Sequence, residues 1–273
     1  MSRPRAVRSI VTVKKTLIAA AGIGLLLAAT ACSSNDNSTT SASSTSLTPA
    51  RQTAAAPDLS SYPKLPAVPV QESATAACSY PATGQPIKPV NPPNPAGVPT
   101  SGTAQIAMAT SQGPIGLTLN RAEAPCTVNS FVSLSEQGYY NDTPCHRLST
   151  SGLYILQCGD PSGSGRGGPG YGYLNEYPSN QYAPSDPAGQ QPVVYPRGTI
   201  AMANTGQPGS NGSQFFLVYQ DSPLPPQYTV FGTIDDAGLA TIEKVAAAGD
   251  DGSMSAGGGK PNTPIQIEKV TVS

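Results

Sequence analysis

Apolar and polar residues alternate in short segments from about Thr103 to the C-terminus, which is the pattern of strands that bury one face. The segments QIAMAT and PIGLTL are separated by Ser111, Gln112 and Gly113, which is typical of a hairpin turn. The other strand-like segments are CHRL, LYILQ, TIAMAN, SQFFLVY, YTVFGTI and IQIEKVTV. Many short strands with few helices predict a mainly β fold, built as a closed antiparallel barrel.

Two segments of this region have helical periodicity instead. The first begins with Pro125 at a first helical position, places Val128, Phe131 and Val132 on one face, and ends before Gly138. The second covers residues 236–248, and its inward-facing residues are Leu239, Ile242 and Val245. We expect the two helices to close the ends of the barrel.

The first 31 residues have the character of an export signal. A basic segment, MSRPRAVRSIVTVKK, precedes the apolar run TLIAAAGIGLLLAATA, which suits a signal-peptide core and is short for a membrane span. The small residues before Cys32 resemble a bacterial lipobox, although Ala29 replaces the usual leucine. We therefore expect lipid on Cys32 and a protein anchored to the cell membrane on its extracytoplasmic face. The alternatives are a secretory signal with an incidental cysteine and an uncleaved anchor helix.

Two further segments precede the strand-rich region. Residues 32–60 are rich in Ser, Thr and Ala without apolar periodicity, and they predict a disordered tether. Residues 61–102 are dense in proline, and they predict an extended spacer or a strap across the folded domain. We expect that folded domain to occupy residues 103–273.

Charge argues against nucleic acid as a partner. Five of the 15 Lys and Arg residues lie in the first 31 residues, so the rest of the chain has ten basic and 16 acidic residues. An excess of acidic residues does not neutralise the phosphates of a nucleic acid. No cofactor or metal is expected, because a single histidine makes no metal site. The GxGxxG match at Gly163, Gly165 and Gly168 is followed by Pro169 instead of a helix, which indicates a loop and not a nucleotide site.

Six ordered blocks in the strand-rich region carry a family resemblance. The blocks are PCTVNSFVSL, CHRL, LQCGDPSGSGRGGPGY, GTIAMANTG, NGSQFFLVY and YTVFG. Their order and spacing resemble the cyclophilin family of peptidyl-prolyl cis-trans isomerases, in its bacterial exported branch. The resemblance covers residues 103–273 and implies an isomerase domain with a closed eight-stranded barrel whose ends are capped by two helices. Its implied partners are proline-containing exported polypeptides, whose folding it would assist.

The resemblance also assigns site residues. Arg147 falls on the catalytic arginine of the family, and Gln157 falls on the glutamine that orients it. The guanidinium of an arginine is a hydrogen-bond donor that suits prolyl isomerisation. Rotation about the Xaa-Pro bond breaks amide resonance and leaves a lone pair on the proline nitrogen, which the donor can stabilise. The implied substrate-binding residues are Tyr154, Ile155, Ala203, Asn204, Gln214, Phe216, Leu224 and Tyr228.

Two departures from the family pattern keep a second function open. The segment between Arg147 and Gln157 is two residues longer than the common pattern, and it contains the sequence STSG. The chain has no tryptophan, and Pro223 is the nearest match to the tryptophan that contacts cyclosporin, so we expect weak cyclosporin binding. The alternative function is a non-catalytic module or chaperone that binds proline-containing peptides.

Four cysteines remain beside Cys32, and four cysteines allow three pairings. Cys145 and Cys158 flank a predicted hairpin, so we expect a disulfide between them. Cys126 at the start of the first helix would then pair with Cys78, strapping the proline-rich segment onto the barrel. The oxidising environment outside the cytoplasm favours these bonds, and the alternative is buried free thiols.

The lipidation hypothesis is tested by changing Cys32→Ala and following a radioactive or clickable fatty acid in the bacterium that makes the protein. We expect the label and the partition into detergent to be lost together, because the thiol is the attachment atom. Unchanged partition into detergent would contradict lipidation at this residue.

Overall fold

The structure, a computed structural model, describes residues 58–273. The predicted signal peptide of residues 1–31, the predicted lipidation site Cys32 and most of the predicted tether lie outside the described residues. No helix in the described part of the chain is long and apolar enough to cross a membrane.

The described residues form short strands, two α-helices and two 3-10 turns. The first strands are β1 (Thr75–Ala76), β2 (Val98–Pro99), β3 (Thr103–Thr110), β4 (Gly113–Asn120), β5 (Thr143–Pro144), β6 (Arg147–Ser151) and β7 (Leu153–Cys158). The later strands are β8 (Val193–Tyr195), β9 (Thr199–Met202), β10 (Phe215–Val218), β11 (Ser222–Leu224), β12 (Val230–Ile234) and β13 (Gln266–Val272). The helices are α1 (Pro125–Glu136) and α2 (Asp236–Ala247), and the 3-10 turns are Ser179–Gln181 and Pro187–Gln190.

Nine strands form one antiparallel sheet in the order β5-β13-β3-β4-β12-β9-β10-β7-β6. Its two edge strands are consecutive in the chain, separated only by Cys145 and His146. The sheet therefore curls until the chain itself joins both edges, and β5 and β6 together act as one bent strand. The mainly β fold is confirmed. The strand count is nine instead of the expected eight because the bent strand is interrupted at this point.

Both helices occupy the predicted segments and bury the predicted faces. In α1 the side chains of Val128 and Phe131 are fully buried, and Gly138 follows with a φ of 68°. Asp235 caps the N-terminus of α2, and its carboxylate accepts a hydrogen bond from the Gly238 amide at 2.7 Å. Its buried residues include Leu239, Ile242 and Val245.

The sheet has an apolar cluster on each face. The larger cluster fills the barrel, and Phe131 lies at its centre with Tyr140, Phe215 and Phe231 at centroid distances of 4.8, 5.2 and 5.5 Å. The smaller cluster, called here the outer cluster, lies on the opposite face because neighbouring residues of a strand point to opposite sides. Its buried members are Ile155, Tyr177, Val193, Tyr195, Ala201, Phe216, Val218 and Val230.

The proline-rich segment packs against the barrel. The amide of Val194 donates to the carbonyl of Pro63 at 2.9 Å, and Leu65 packs against the outer cluster. Further along, Val98 in β2 is buried. A disulfide joins Cys78 to Cys126 at the start of α1, so this segment is strapped to the barrel as expected.

The second disulfide joins Cys145 to Cys158 and ties the bent strand to β7. The structure thus contains both of the predicted disulfides.

The two disulfides differ in the length of chain that they close, which is 48 residues for the Cys78 bond and 13 for the Cys145 bond. Loop-closure entropy predicts a loss of about 4 kcal/mol for the double change Cys78→Ala and Cys126→Ala, and of about 3 kcal/mol for Cys145→Ala and Cys158→Ala. Urea unfolding of both variants and the wild-type protein measures these free energies. A larger loss for the shorter loop would contradict loop closure as the main source of stability.

Candidate active site

Four adjacent strands carry the central residues of the site in one row. Arg147 in β6 lies directly opposite Gln157 in β7, Gln157 lies opposite Phe216 in β10, and Phe216 lies opposite Ala201 in β9. Residues that pair directly across strands share one face of a sheet. A guanidinium, an amide and an aromatic ring therefore lie in sequence on the outer face of the barrel.

Hydrogen bonds hold the guanidinium of Arg147 in this position. Its Nη1 donates to Oε1 of Gln157 at 3.4 Å, its Nε donates to the Gly257 carbonyl at 3.1 Å, and its Nη2 donates to the Ala256 carbonyl at 3.0 Å. Burial lowers the pKa of Arg147, and Tyr228 and Asp250 partly offset this effect. An arginine keeps its charge at neutral pH even so, because the ordinary pKa of a guanidinium lies far above neutral pH.

A chain of amide contacts extends this arrangement. Nε2 of Gln157 donates to Oε1 of Gln214 at 3.1 Å, and Nε2 of Gln214 donates to the carbonyl of Gly167 at 3.0 Å. Each amide is thereby fixed in orientation, so Gln157 presents its oxygen to Arg147.

Apolar side chains border the row. Ile155 and Phe216 are buried members of the outer cluster, and Ala203, Leu224 and Tyr228 pack against it while remaining partly exposed. The Tyr228 ring meets the Phe216 ring edge to face at 5.6 Å. The structure thus brings these predicted substrate-binding residues together around one apolar surface.

Asn204 lies at the rim of that surface, held through its side chain. Its Nδ2 donates to the carbonyl of Gln227 at 2.8 Å, and its Oδ1 accepts from the Gly206 amide at 2.9 Å. Within residues 58–273 no hydrogen bond uses the main-chain NH or C=O of Asn204. These groups are available to pair with an extended peptide.

Tyr154 is the exception among the predicted site residues. It precedes Ile155 in β7 and points to the opposite face, where it packs beside Tyr219 at 6.0 Å. Leu153 shares the face of Ile155 and packs against the outer cluster in its place. The alternation of Leu153, Ile155 and Gln157 along the strand is the signal that could have identified Leu153.

A groove of about 620 Å³ continues from the row of polar side chains. It shares Gln157, Gln214, Ala203 and Asn204 with the site and is bordered by the glycine-rich loop of residues 165–172. Its far wall includes residues 83–85 of the proline-rich segment, which no sequence motif connects with the site. Among the described residues, no group of three or more His, Cys, Asp or Glu side chains is arranged to hold a metal ion.

Comparison with known proteins agrees with this geometry. The family model described as cyclophilin type peptidyl-prolyl cis-trans isomerase matches residues 105–272. The chain belongs to this family. A probable peptidyl-prolyl cis-trans isomerase B of Mycobacterium leprae is 58% identical over 198 residues, which are 71% of this chain and 65% of that protein. The protein of the same description from Mycobacterium tuberculosis strain H37Rv is 53% identical over 213 residues, which are 76% of this chain and 68% of that protein.

The chain thus spans about two thirds of the length of these relatives. Among solved structures, a cyclophilin type isomerase of Cryptosporidium parvum matches with a TM-score of 0.50 and 29% identity. That match covers 63% of this chain and 98% of the other.

In this cyclophilin the carboxylate of Asp160 shapes the loop that follows β7. It accepts hydrogen bonds from the amide and hydroxyl of Ser162, from the hydroxyl of Ser164, and from the amides of Arg166 and Gly167. Burial raises the pKa of Asp160, but the bonds from Ser162, Gly167 and Ser164 outweigh it and lower the pKa to about 2. The carboxylate therefore fixes the loop whose Gly167 carbonyl receives Gln214.

The single histidine lies beneath the same loop. His146 is 5% exposed, and a Cβ added to Gly165 would approach its ring at 3.2 Å. Burial lowers the pKa of His146, and the ring is packed beneath the loop.

The change Asp160→Asn tests the role of this carboxylate. Because the folded-state pKa is lowered, the stabilisation is complete above pH about 4 and is lost as the pH falls toward about 2. We expect the variant to lose about 1–3 kcal/mol of unfolding free energy at pH 7 and to show a flatter acid dependence.

Urea unfolding between pH 2.5 and 7 measures both effects. Glu268→Gln is the matched control, because Glu268 is exposed in β13 and its carboxylate has no hydrogen-bond partner within residues 58–273. An acid dependence that stays the same in Asp160→Asn would contradict the assignment.

Proposed function

We propose that this chain catalyses cis-trans isomerisation of Xaa-Pro bonds in exported polypeptides. It acts outside the cytoplasm and is held at the membrane by a lipid on Cys32. The observation that carries the catalytic part is the charged guanidinium of Arg147, fixed at the edge of an apolar surface that includes Phe216.

The reaction needs a donor that acts in the transition state and not before it. Rotation about the Xaa-Pro bond breaks amide resonance against a barrier of about 18–20 kcal/mol. At the midpoint the proline nitrogen is pyramidal and carries a lone pair, so a fixed donor stabilises it more than the planar ground state.

Arg147 has donors left for this task. A guanidinium carries five N–H groups, and three of them are used by Gln157, Ala256 and Gly257. One N–H on Nη1 and one on Nη2 have no partner among the described residues. Either can donate to a proline nitrogen that is presented beside the row.

The apolar surface supplies the rest of the mechanism. A proline ring laid against Phe216, Leu224 and Ile155 displaces water from the amide. Water favours the planar, more polar amide, so its exclusion lowers the barrier further. The main-chain groups of Asn204 pair with the substrate backbone and hold one side of the bond while the other side turns.

Export is supported by the cysteines and by the N-terminal sequence. All four cysteines in the described residues form disulfides, and such bonds persist in oxidising compartments. The signal-like first 31 residues and the lipobox-like sequence before Cys32 favour the same location. The substrates would then be proline-containing polypeptides that are still folding after export.

Replacing Arg147 tests the catalytic proposal. We expect Arg147→Ala to lower kcat/KM by about a hundredfold in a protease-coupled assay on a proline peptide, because one transition-state donor is lost. Arg147→Lys keeps the charge without the planar fork, and we expect an intermediate rate. Arg197→Ala is the control, since Arg197 forms an exposed ion pair with Glu243 and lies outside the row.

Equal rates for the wild-type protein and Arg147→Ala would contradict catalysis by this residue. If both proteins gave only the uncatalysed rate and still bound the peptide with the same Kd, the function would be that of the non-catalytic binding module or chaperone.

A further inference from the structure

One wall of the groove beside the site comes from outside the barrel. Thr83, Gly84 and Gln85 belong to the proline-rich segment and line the groove beside the glycine-rich loop. The base of the groove includes Gln157 and Gln214, which also belong to the chain of amides beside Arg147. A peptide that reaches the apolar surface therefore passes this wall.

Main-chain hydrogen bonds fix the wall to the loop. The amide of Thr83 donates to the carbonyl of Gly170 at 2.8 Å, and the amide of Gly172 donates to the carbonyl of Pro81 at 3.0 Å. A third bond runs from the amide of Ile87 to the carbonyl of Gly168 at 3.1 Å. Both sides of the groove are thus joined along one edge, and the wall is part of the folded domain.

The approach is close enough to require glycine. Gly170 has a φ of +82°, and a Cβ there would lie 2.9 Å from the ring of Pro86. Just upstream, Tyr80 donates through its hydroxyl to the carbonyl of Cys126 at 2.8 Å and packs on Tyr171 at 5.6 Å. Together with the Cys78 disulfide these contacts anchor the wall on its N-terminal side.

The groove has a distinct chemistry. Among its lining residues Arg166 alone is charged, and within residues 58–273 it forms no ion pair. Its side chain is exposed, whereas the carboxylate of the neighbouring Asp160 is fully occupied by donors of its own loop. The other polar lining residues are neutral, including Thr83, Gln85 and Ser210. An acidic side chain is therefore favoured in the groove over a basic one.

We propose that residues 83–85 of the proline-rich segment are specificity determinants of the isomerase. When a proline lies against Phe216, a nearby acidic or polar side chain of the same polypeptide enters the groove between Gln85 and Arg166. This inference rests on the proposed function, and it gives the strapped segment a role in choosing substrates.

A peptide series tests the proposal with two readouts, kcat/KM and the Kd of a fluorescent peptide. The peptides carry Glu, Lys or Gly at each of the two positions on either side of the proline. We expect Glu at one position to be favoured over Lys by about two- to fivefold in the wild-type protein, and Arg166→Gln to abolish this preference.

The wall itself is tested by Gln85→Trp, which narrows the groove. We expect kcat/KM and affinity for the Glu peptide to fall about tenfold, with little change for the Gly peptide, since only a side chain in the groove meets the new ring. Gln191→Trp is the matched control, because Gln191 is exposed and does not line the groove. Thr83→Arg gives a second variant, which we expect to strengthen the preference for Glu.

The outcomes separate the two proposals. Wall variants that leave the ratios between the peptides unchanged in both readouts would overturn the role of residues 83–85. Binding that discriminates among the peptides without any turnover by the wild-type protein would retain that role and overturn the isomerase function.

Discussion

The pairing register of β6, β7 and β10 is the constraint on which the site depends. The row of Arg147, Gln157 and Phe216 lies on the outer face only because the next row, Leu148, Leu156 and Leu217, is buried in the barrel. A slip of one residue would exchange the two faces and bury the guanidinium among leucines, at a high cost in desolvation. Burial of the leucine row in the core therefore fixes the register that places Arg147 on the outer face. The disulfide between Cys145 and Cys158 ties β7 to the bent strand in this register.

The outer face of the barrel is only partly covered by other segments of the chain. Tyr177, Val193 and Tyr195 from the segment after β7 pack on one part of the outer cluster and are themselves buried. At the other part, Leu224 and Tyr228 leave the surface near Phe216 accessible. A binding surface for a proline ring thus results from incomplete coverage of an apolar sheet face, and it requires no separate cavity inside the barrel.

The sequence predicts the elements and identifies most of the residues that the structure brings together around Arg147, because local periodicity and ordered motifs carry that information. Tyr154 was assigned to the pocket by its place in a motif, whereas strand alternation directs it to the face of Tyr219. The groove wall could not be predicted, because it is joined to the loop by main-chain groups of residues such as Thr83 and Gly170, which leave no side-chain pattern. The interruption of the bent strand at His146 could not be predicted either, because no residue pattern in the sequence marks it.

The neutral hydrogen-bond partners of Arg147 explain how a half-buried cation remains able to donate to a substrate. Within the described residues the single ion pair joins Arg197 to Glu243, so no carboxylate forms an ion pair with Arg147, and Asp250 acts on its charge only from a greater distance. Its partners are two carbonyls and an amide, which orient the guanidinium without cancelling its charge. A carboxylate in their place would compete with the weakly basic proline nitrogen for the same donors and reduce the gain at the transition state. The scarcity of charge around this site is therefore a condition for the catalysis that we propose, and it follows directly from the composition of the chain.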